Sequence, residues 1–387
     1  MIYVIRFISY TVWGVVYPFL AVWLIGLRVF DDGAVGLVVG VAVITNRVGS
    51  LAFVHVVERY DKRLAIIASQ VMAVVASVAL HLLSVGPTGS VLAWAFVGGL
   101  FGLANSLATL AQVTFIAQQF PHEERKRAFA YENISLNIAG GVAPLLSSFV
   151  IVSLTGSYAL VPIAFAVTTT VLAVRLPRDA PVEAPVAEPS GVDGFRGGDR
   201  LAVLGFIFLT MVAYGQFYGV FPVYAVADLG EGTVGLLFAA SSVMIVVLQA
   251  VVLRLSTRFD DVRLIVVANV FMAAGSLLLI FTSGGVRVVL VAVLCVALAE
   301  MVSGPLYQTL AVQAFHGRAT RAMGAVTFVW GVGEAGTIVV GLALVDAGLG
   351  AVSFLVGAAA ALAVAVLATA LRRRLLRLGR VAVPSAG

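Results

Sequence analysis

Two glutamates inside apolar segments are the residues of this chain best placed to carry a proton. Glu300 lies 13 residues after Arg287, and Glu334 lies 13 residues after Arg321. In a helix, this spacing puts each acid about 20 Å from one end of its segment. A carboxyl group favours its neutral form in apolar surroundings and its charged form in water, so an acid that alternates between them loads and releases a proton. The alternative is a structural acid held between helices.

Arg47 is a third charge inside an apolar segment, 11 residues before Glu58. At about 16 Å from the end of that segment, its guanidinium is too deep to reach water freely. It is expected to attract an anionic substrate or to balance Glu334, whose depth matches within one helical turn. The alternative is a structural charge satisfied by carbonyl groups or by Asn46. Arg6, near the chain start, is expected to extend to the aqueous interface.

Polar and aromatic side chains accompany these charges. Asn105, Thr109 and Gln112 share one helical face, and Ser303 and Tyr307 share a face with Glu300. Mostly apolar walls with a few polar anchors suit small amphipathic molecules. Packing is the alternative for each aromatic residue. The predicted cavity residues are Trp13, Tyr17, Asn105, Thr109, Gln112, Tyr214, Gln216, Tyr218, Ser303 and Tyr307.

The composition identifies the solvent around these residues as lipid. Of the 387 residues, 61% are hydrophobic and only 11% are charged, and the mean hydropathy is +1.09. Soluble domains are about half apolar and a quarter charged, so a water-soluble fold of this size is excluded. The net charge of +5 does not indicate nucleic-acid binding, because the basic residues lie at the ends of apolar runs.

Twelve apolar runs are long enough to cross a bilayer as helices, which predicts an all-α membrane protein. The predicted membrane-spanning segments are 5–27, 34–57, 64–85, 90–115, 128–152, 158–176, 201–226, 233–254, 263–282, 286–311, 322–345 and 351–371. Residues 177–200 are rich in Pro, Gly, Asp and Glu and are predicted to form a linker. The prediction is therefore a bundle at 1–176, a linker at 177–200, a bundle at 201–371 and a basic tail at 372–387.

The basic residues predict the orientation in the membrane. Of the 24 Lys and Arg residues, 20 lie in loops after even-numbered segments or in the tail. By the positive-inside rule, both termini and the linker are cytoplasmic, and a multi-pass protein of the cell membrane is expected.

The two halves repeat in the same direction. The stretch 32–37, DGAVGL, returns at 231–236 as EGTVGL, and 58–61, ERYD, returns at 257–260 as TRFD, both with an offset of 199. The shared order of such matches predicts two six-helix bundles related by a parallel pseudo-two-fold repeat. Repeats of this kind place a substrate site at their interface, near the membrane centre.

Several kinds of chemistry find no support in the sequence. Cys295 is the single cysteine, the four histidines are scattered, and no Gly-rich phosphate loop occurs. We therefore expect no metal, no cofactor and no ATP-driven step. A membrane-embedded enzyme acting on lipids would need a nucleophile–base pair or a metal cluster, and neither is evident.

The loop after the second segment resembles a motif of the major facilitator superfamily, G-x-x-x-D-R-x-G-R-K, over residues 54–63, VHVVERYDKR. The acid–arginine pair and the basic end are present, whereas Val54 and Asp61 replace the glycines. The resemblance covers nearly the whole chain and implies that this motif latches the two halves together at their cytoplasmic ends. The implied gate residues are Glu58, Arg59, Lys62, Arg63 and Arg258.

The fifth segment is similar to the G-x-x-x-G-P-x-x-G-G motif of drug/proton antiporters in that family, present at 139–148 as AGGVAPLLSS. The usual arginine of segment four and an acid in segment one are missing. The resemblance implies a transporter working by alternating access, with proton-coupled efflux of small hydrophobic or amphipathic compounds. The partners are then a small-molecule substrate, protons and the lipid bilayer, with no nucleic acid and a monomeric chain. Uptake of a small metabolite or organic anion, with Arg47 as the anion contact, is the alternative.

Overall fold

A computed structural model describes residues 1–16, 20, 23–24, 32–86, 90–153, 160–178 and 197–380 of the chain. Within these ranges every regular element is a helix. Eight of these helices are long and apolar enough to cross a membrane, and three shorter apolar helices accompany them. The prediction of an all-α membrane protein is confirmed.

The helices follow the predicted order of segments. They are α1 (Ile2–Val16), α2 (Asp32–Ala52), α3 (Val54–Arg59), α4 (Lys62–Val85), α5 (Val91–Gln119), α6 (His122–Ser153), α7 (Leu160–Val174), α8 (Gly197–Gly215), α9 (Phe221–Leu229), α10 (Glu231–Ser256), α11 (Asp261–Leu278), α12 (Val286–Ala314), α13 (Ala319–Asp346), α14 (Gly350–Ala370) and α15 (Arg372–Arg380). A π-helical turn (Gln216–Val220) joins α8 to α9, and a 3₁₀ turn (Leu279–Gly284) follows α11.

The boundaries differ from the prediction at four places. The second predicted segment is broken at Phe53, between α2 and α3, and α6 begins at His122, six residues early. α8 begins at Gly197, inside the predicted linker, and the predicted basic tail begins as the helix α15. Polar and charged residues lower the hydropathy of a segment. A prediction from hydropathy therefore makes a helix too short where the helix continues beyond the membrane into water.

The internal repeat is visible in how two helices begin. Asp61 precedes α4, and its carboxylate accepts a hydrogen bond from the Arg63 amide at 2.8 Å. Asp260, at the repeat offset of 199, precedes α11 and accepts from the Arg263 amide at 2.8 Å. Both acids cap the free amides of a first helical turn. The glycine of the motif is therefore replaced at Asp61 by an N-cap.

The chain folds into two compact units. Unit 1 is Met1–Gln119 with Ser135–Val186, and unit 2 is Phe120–Ile134 with Ala187–Gly387. In unit 1, α2 and α5 approach closely at Gly102, where an added Cβ would collide with the Ala42 carbonyl and the Thr45 hydroxyl. Small residues allow such backbone approach between membrane helices.

Candidate functional site

A π-helical turn separates α8 from α9 in unit 2, just before a proline. Pro222 has no amide hydrogen, and its ring excludes the carbonyl of the residue four positions earlier, Tyr218. The wider turn Gln216–Val220 relieves that clash. Extra residues in a helical turn also reorient the side chains on it, and such turns are frequent at functional sites.

Tyr218, on this turn, contacts one of the two predicted proton carriers. Its hydroxyl donates a hydrogen bond to Glu300 Oε2 at 3.0 Å. Glu300 lies on α12 and is 8% exposed, so its carboxyl group is buried within unit 2. The Tyr214 ring lies 4.4 Å from the Tyr218 ring, centroid to centroid. The structure thus brings two predicted cavity residues, Tyr214 and Tyr218, together with a predicted proton carrier.

Glu334 belongs to the same region of unit 2. α13 packs against α8 so closely that a Cβ added at Gly215 would lie 3.4 Å from the Glu334 Cα atom. Tyr214 lies within electrostatic range of both Glu300 and Glu334. We call Tyr214, Tyr218, Glu300 and Glu334 the acid–tyrosine cluster. A carboxyl group that accepts a hydrogen bond from a phenol can gain or lose a proton, because the phenol hydroxyl can both donate and accept. A proton carrier needs a partner of this kind.

Two other predicted cavity residues of unit 2, Tyr307 and Gln216, make hydrogen bonds between helices. Tyr307 is fully buried, and its hydroxyl lies 3.0 Å from the Thr210 hydroxyl and accepts from Asn269 Nδ2 at 2.9 Å. Gln216 is buried too, and its Oε1 accepts from the Ser353 hydroxyl on α14 at 2.5 Å. Ser303 is buried on α12.

A ladder of polar contacts joins α1 and α2 to α5 in unit 1. Its three rungs are Arg6 Nη1 to Thr109 Oγ1 at 3.3 Å, Gln112 Nε2 to Ser9 Oγ at 2.9 Å, and Asn105 Nδ2 to Asn46 Oδ1 at 2.9 Å. We call these six residues the polar ladder. The predicted face of Asn105, Thr109 and Gln112 therefore meets polar partners on the facing helices.

The expectation that Arg6 extends to the aqueous interface is wrong. The side chain is 5% exposed and reaches Thr109 instead. The sequence contains a pattern that favours a contact inside the protein, because Arg6, Ser9 and Trp13 have the i, i+3 and i+7 spacing of one helical face.

A small cavity lies beside the ladder in unit 1. Its volume available to the centre of a water molecule is about 10 Å³, room for one water. Trp13, which stacks on Phe101 with centroids 5.6 Å apart, forms one wall. Ser9, Gln70 and Asn105 supply the polar lining.

The remaining predicted site residues outside the gate are Tyr17 and Arg47. Tyr17 lies outside the described residues. Arg47 is half-buried on α2 in unit 1, whereas Glu334 is in unit 2, so their contact stays a prediction.

The implied gate residues lie at one end of each unit. Arg59 and Arg258 are exposed, Glu58 is half-buried and Lys62 is buried. Arg63 donates to the Leu176 carbonyl at 3.2 Å, which ties the start of α4 to the chain after α7. Their role as a gate stays a prediction.

Further charged residues of unit 2 lie outside the acid–tyrosine cluster. Lys126 forms a close ion pair with Asp261 at the start of α11. Glu132, in the part of α6 that belongs to unit 2, is 1% exposed and is thus another deeply buried acid there. Within the described ranges, no three His, Cys, Asp or Glu residues group as metal ligands.

Comparisons with known proteins match this architecture. The family described as Major Facilitator Superfamily matches residues 2–337 and again 202–384. The chain belongs to this family, whose members are membrane transporters, and it is a multi-pass membrane protein. No curated protein matches it in sequence.

Solved transporters share the fold. The human organic anion transporter MFSD10 (TETRAN) has a TM-score of 0.74 and 12% identity, over 95% of this chain and 97% of that one. The proton:xylose symporter XylE has a TM-score of 0.76 and 14% identity, over 97% and 95%. A bacterial homologue of the iron transporter ferroportin has a TM-score of 0.76 and 12% identity, over 96% and 98%. At such low identity these structures show the fold alone.

Proposed function

We propose that this member of the family is a proton-coupled secondary transporter, working by alternating access, whose proton is carried by the acid–tyrosine cluster. The observation that carries the proposal is the hydrogen bond from Tyr218 to the buried Glu300. Ionisable groups inside membrane helices are costly and are commonly part of ion or proton pathways. The π turn beside the cluster offers a place where helix geometry and Glu300 protonation can influence each other.

The transported compound is proposed to be small and hydrophobic or amphipathic, with efflux as the direction and the cell membrane as the location. Support comes from the aromatic and apolar surroundings of the cluster, where Tyr214, Tyr218 and Phe217 pack together. Protons moving down their gradient can drive such a compound out in exchange.

A second candidate is transport of a small organic anion. It is favoured by the buried Arg6, which holds a permanent positive charge within unit 1. A guanidinium is an effective partner for carboxylates, because its fork of donors matches their geometry. One of the proteins with this fold is an organic anion transporter, though that likeness extends to the fold only.

The test measures proton movement in vesicles that contain the purified protein and a trapped pH dye. Ethidium serves as the amphipathic cation, fluorescein as the organic anion and xylose as a neutral control. We expect one of the first two to move protons with the wild type and none with Glu300→Gln. Glu132→Gln is the matched control, since it neutralises another buried acid of unit 2 and should leave proton movement intact.

Infrared difference spectroscopy provides a readout that needs no substrate. Acidifying the wild type should produce the carbonyl stretch of a protonated carboxyl group that is missing from Glu300→Gln. If the two spectra match, and Glu300→Gln still couples flux to the pH gradient, the proposal fails.

A further inference from the structure

The last helix, α15, carries an unusual density of positive charge. Its nine residues, RRRLLRLGR, include five arginines, and it begins at Arg372, two residues after α14 ends at Ala370. This places α15 at the end of the last membrane-spanning helix, where lipid headgroups lie. The positive-inside rule accounts for arginines on this side, but it does not account for their arrangement on the helix.

Two arginines and a leucine fix the orientation of α15 on unit 2. Arg374 forms a close ion pair with Asp199, and Arg372 Nη2 lies 3.2 Å from Asp260 Oδ2. Leu375 is 2% exposed, and α15 packs against α11 and α12. Exposed ion pairs are individually weak, but together with a buried anchor they define which face of a short helix turns outward.

Arg373 lies on the outward face. In the described part of the chain it is exposed and has neither an ion pair nor a hydrogen bond. The acids of unit 2 thus pair with the two flanking arginines, Arg372 and Arg374, while Arg373 keeps its charge for a partner outside the protein.

An open depression of about 530 Å³ lies where α14 meets α15. It is lined by Thr369, Ala370, Leu371, Arg372, Arg373 and Arg374. One wall is the end of the apolar helix α14, and the other is the start of α15, where Arg373 is exposed. An anionic head joined to apolar tails matches both walls, and guanidinium binds phosphate oxygens in pairs.

We propose that α15 binds the phosphate headgroup of anionic phospholipids, with Arg373 as the central contact. Arginines next to a membrane helix attract anionic lipids more strongly than neutral ones, each by about fivefold near the surface. A soluble phosphate offers the same charge but no tails for the apolar wall, so the lipid is the expected occupant.

Native mass spectrometry of the full chain measures this binding. The probes are phosphatidylglycerol and phosphatidylcholine with identical acyl chains, added to delipidated protein. We expect the wild type to bind phosphatidylglycerol more tightly, and Arg373→Gln to weaken that binding by about fivefold without changing the binding of phosphatidylcholine. Arg287→Gln, which removes an exposed arginine at the start of α12 that lies outside the depression, is the matched control and should weaken phosphatidylglycerol binding by less than Arg373→Gln.

A further variant and a competitor sharpen the test. Arg373→Lys keeps the charge but loses the planar fork, so it should weaken binding by less than Arg373→Gln. Inorganic phosphate at millimolar concentration should not displace the lipid. Equal phosphatidylglycerol binding by the wild type and Arg373→Gln, equal affinity for the two lipids, or displacement by inorganic phosphate would each overturn the proposal.

Discussion

The polar ladder of unit 1 and the acid–tyrosine cluster of unit 2 occupy related parts of the repeated chain but differ in chemistry. The stretch 118–120, QQF, returns at 313–315 as QAF, so the repeat offset in this region is 195, and the same offset separates Asn105 from Glu300. Asn105 bonds to the amide of Asn46, whereas Glu300 accepts from a phenol. An amide side chain cannot gain or lose a proton near neutral pH, whereas a carboxyl group is ionisable.

This difference suggests a division of roles between the units. In unit 1, the positive charge of Arg6 lies among neutral amides and hydroxyls. These groups can position a substrate, but their charge does not change. In the proposed mechanism, the acids of unit 2 change their charge with conformation. Substitutions in the two units test that division, and the largest effect is expected at Glu300.

Glu300→Asn gives unit 2 the residue that unit 1 has at the related position. We expect gradient-driven transport of the vesicle probe to fall to background, because no proton can be carried there. Exchange of labelled for unlabelled probe needs no net proton movement and should persist. Flux assays with and without a pH gradient measure both. Asn105→Ala is the control for unit 1 and should keep the dependence on the gradient; if it loses that dependence, coupling is not confined to unit 2.

Arg6→Gln removes the positive charge of the polar ladder. If Arg6 contacts an anionic substrate, the affinity for fluorescein should fall by about 10- to 100-fold, since hydrogen bonds to charged groups contribute about 1.5–3 kcal/mol. The affinity for ethidium should not fall. Thr109→Val is the control, because it removes the hydroxyl that Arg6 contacts and keeps the charge. Unchanged fluorescein affinity in Arg6→Gln would make Arg6 a structural residue.

The sequence predicted more of the spanning helices than of the contacts between them. Long apolar runs set the helices, so α4, α12 and α14 begin within two residues of their predicted starts. Depth along a helix likewise singled out Glu300. The position of its partner Tyr218 depends on a π turn. The steric clash that a proline such as Pro222 causes in a helix can be relieved by a turn of this kind or by a kink. Neighbouring helices decide between these outcomes.

Facing helices also explain why depth misjudged Arg6 and why periodicity did not reveal the surroundings of Tyr307. Arg6 was expected at the interface because it lies near the start of α1, yet Thr109 on α5 offers an acceptor inside the unit. Tyr307 shares a helical face with Glu300, but Asn269 and Thr210 enclose its hydroxyl. Periodicity predicts the face of a helix, and the partner on the other helix determines what that face does.

Tyr218→Phe tests the link between the tyrosine and the acid. The phenol donates to the carboxylate, so it stabilises the charged form of Glu300, and its loss makes protonation easier at any given pH. We expect the midpoint of the pH dependence of transport to move to higher pH by about one unit, the effect of roughly 1.4 kcal/mol. Tyr224→Phe is the matched control, since that hydroxyl donates to the Ile280 carbonyl rather than to an acid. If the midpoint moves equally in both variants, or in neither, Tyr218 does not influence the protonation of Glu300.

The smallest effect is expected at Gln216, which lies on the π turn but faces α14 rather than the acids. Ser353→Ala removes the hydroxyl that donates to Gln216 Oε1 and leaves a buried amide oxygen without that partner. We expect a loss of about 1 kcal/mol of stability, measured as a fall in Tm of about 2 °C, with proton coupling unchanged.

The double variant Gln216→Leu with Ser353→Ala distinguishes packing from function at this position. Replacing both partners of a buried hydrogen bond with apolar groups is nearly neutral, so Tm should recover relative to Ser353→Ala. Transport should also stay coupled, because the double variant retains the bond between Tyr218 and Glu300. If coupling is lost while Tm recovers, Gln216 acts on the π turn itself, and the proton-carrying region of unit 2 extends to α14.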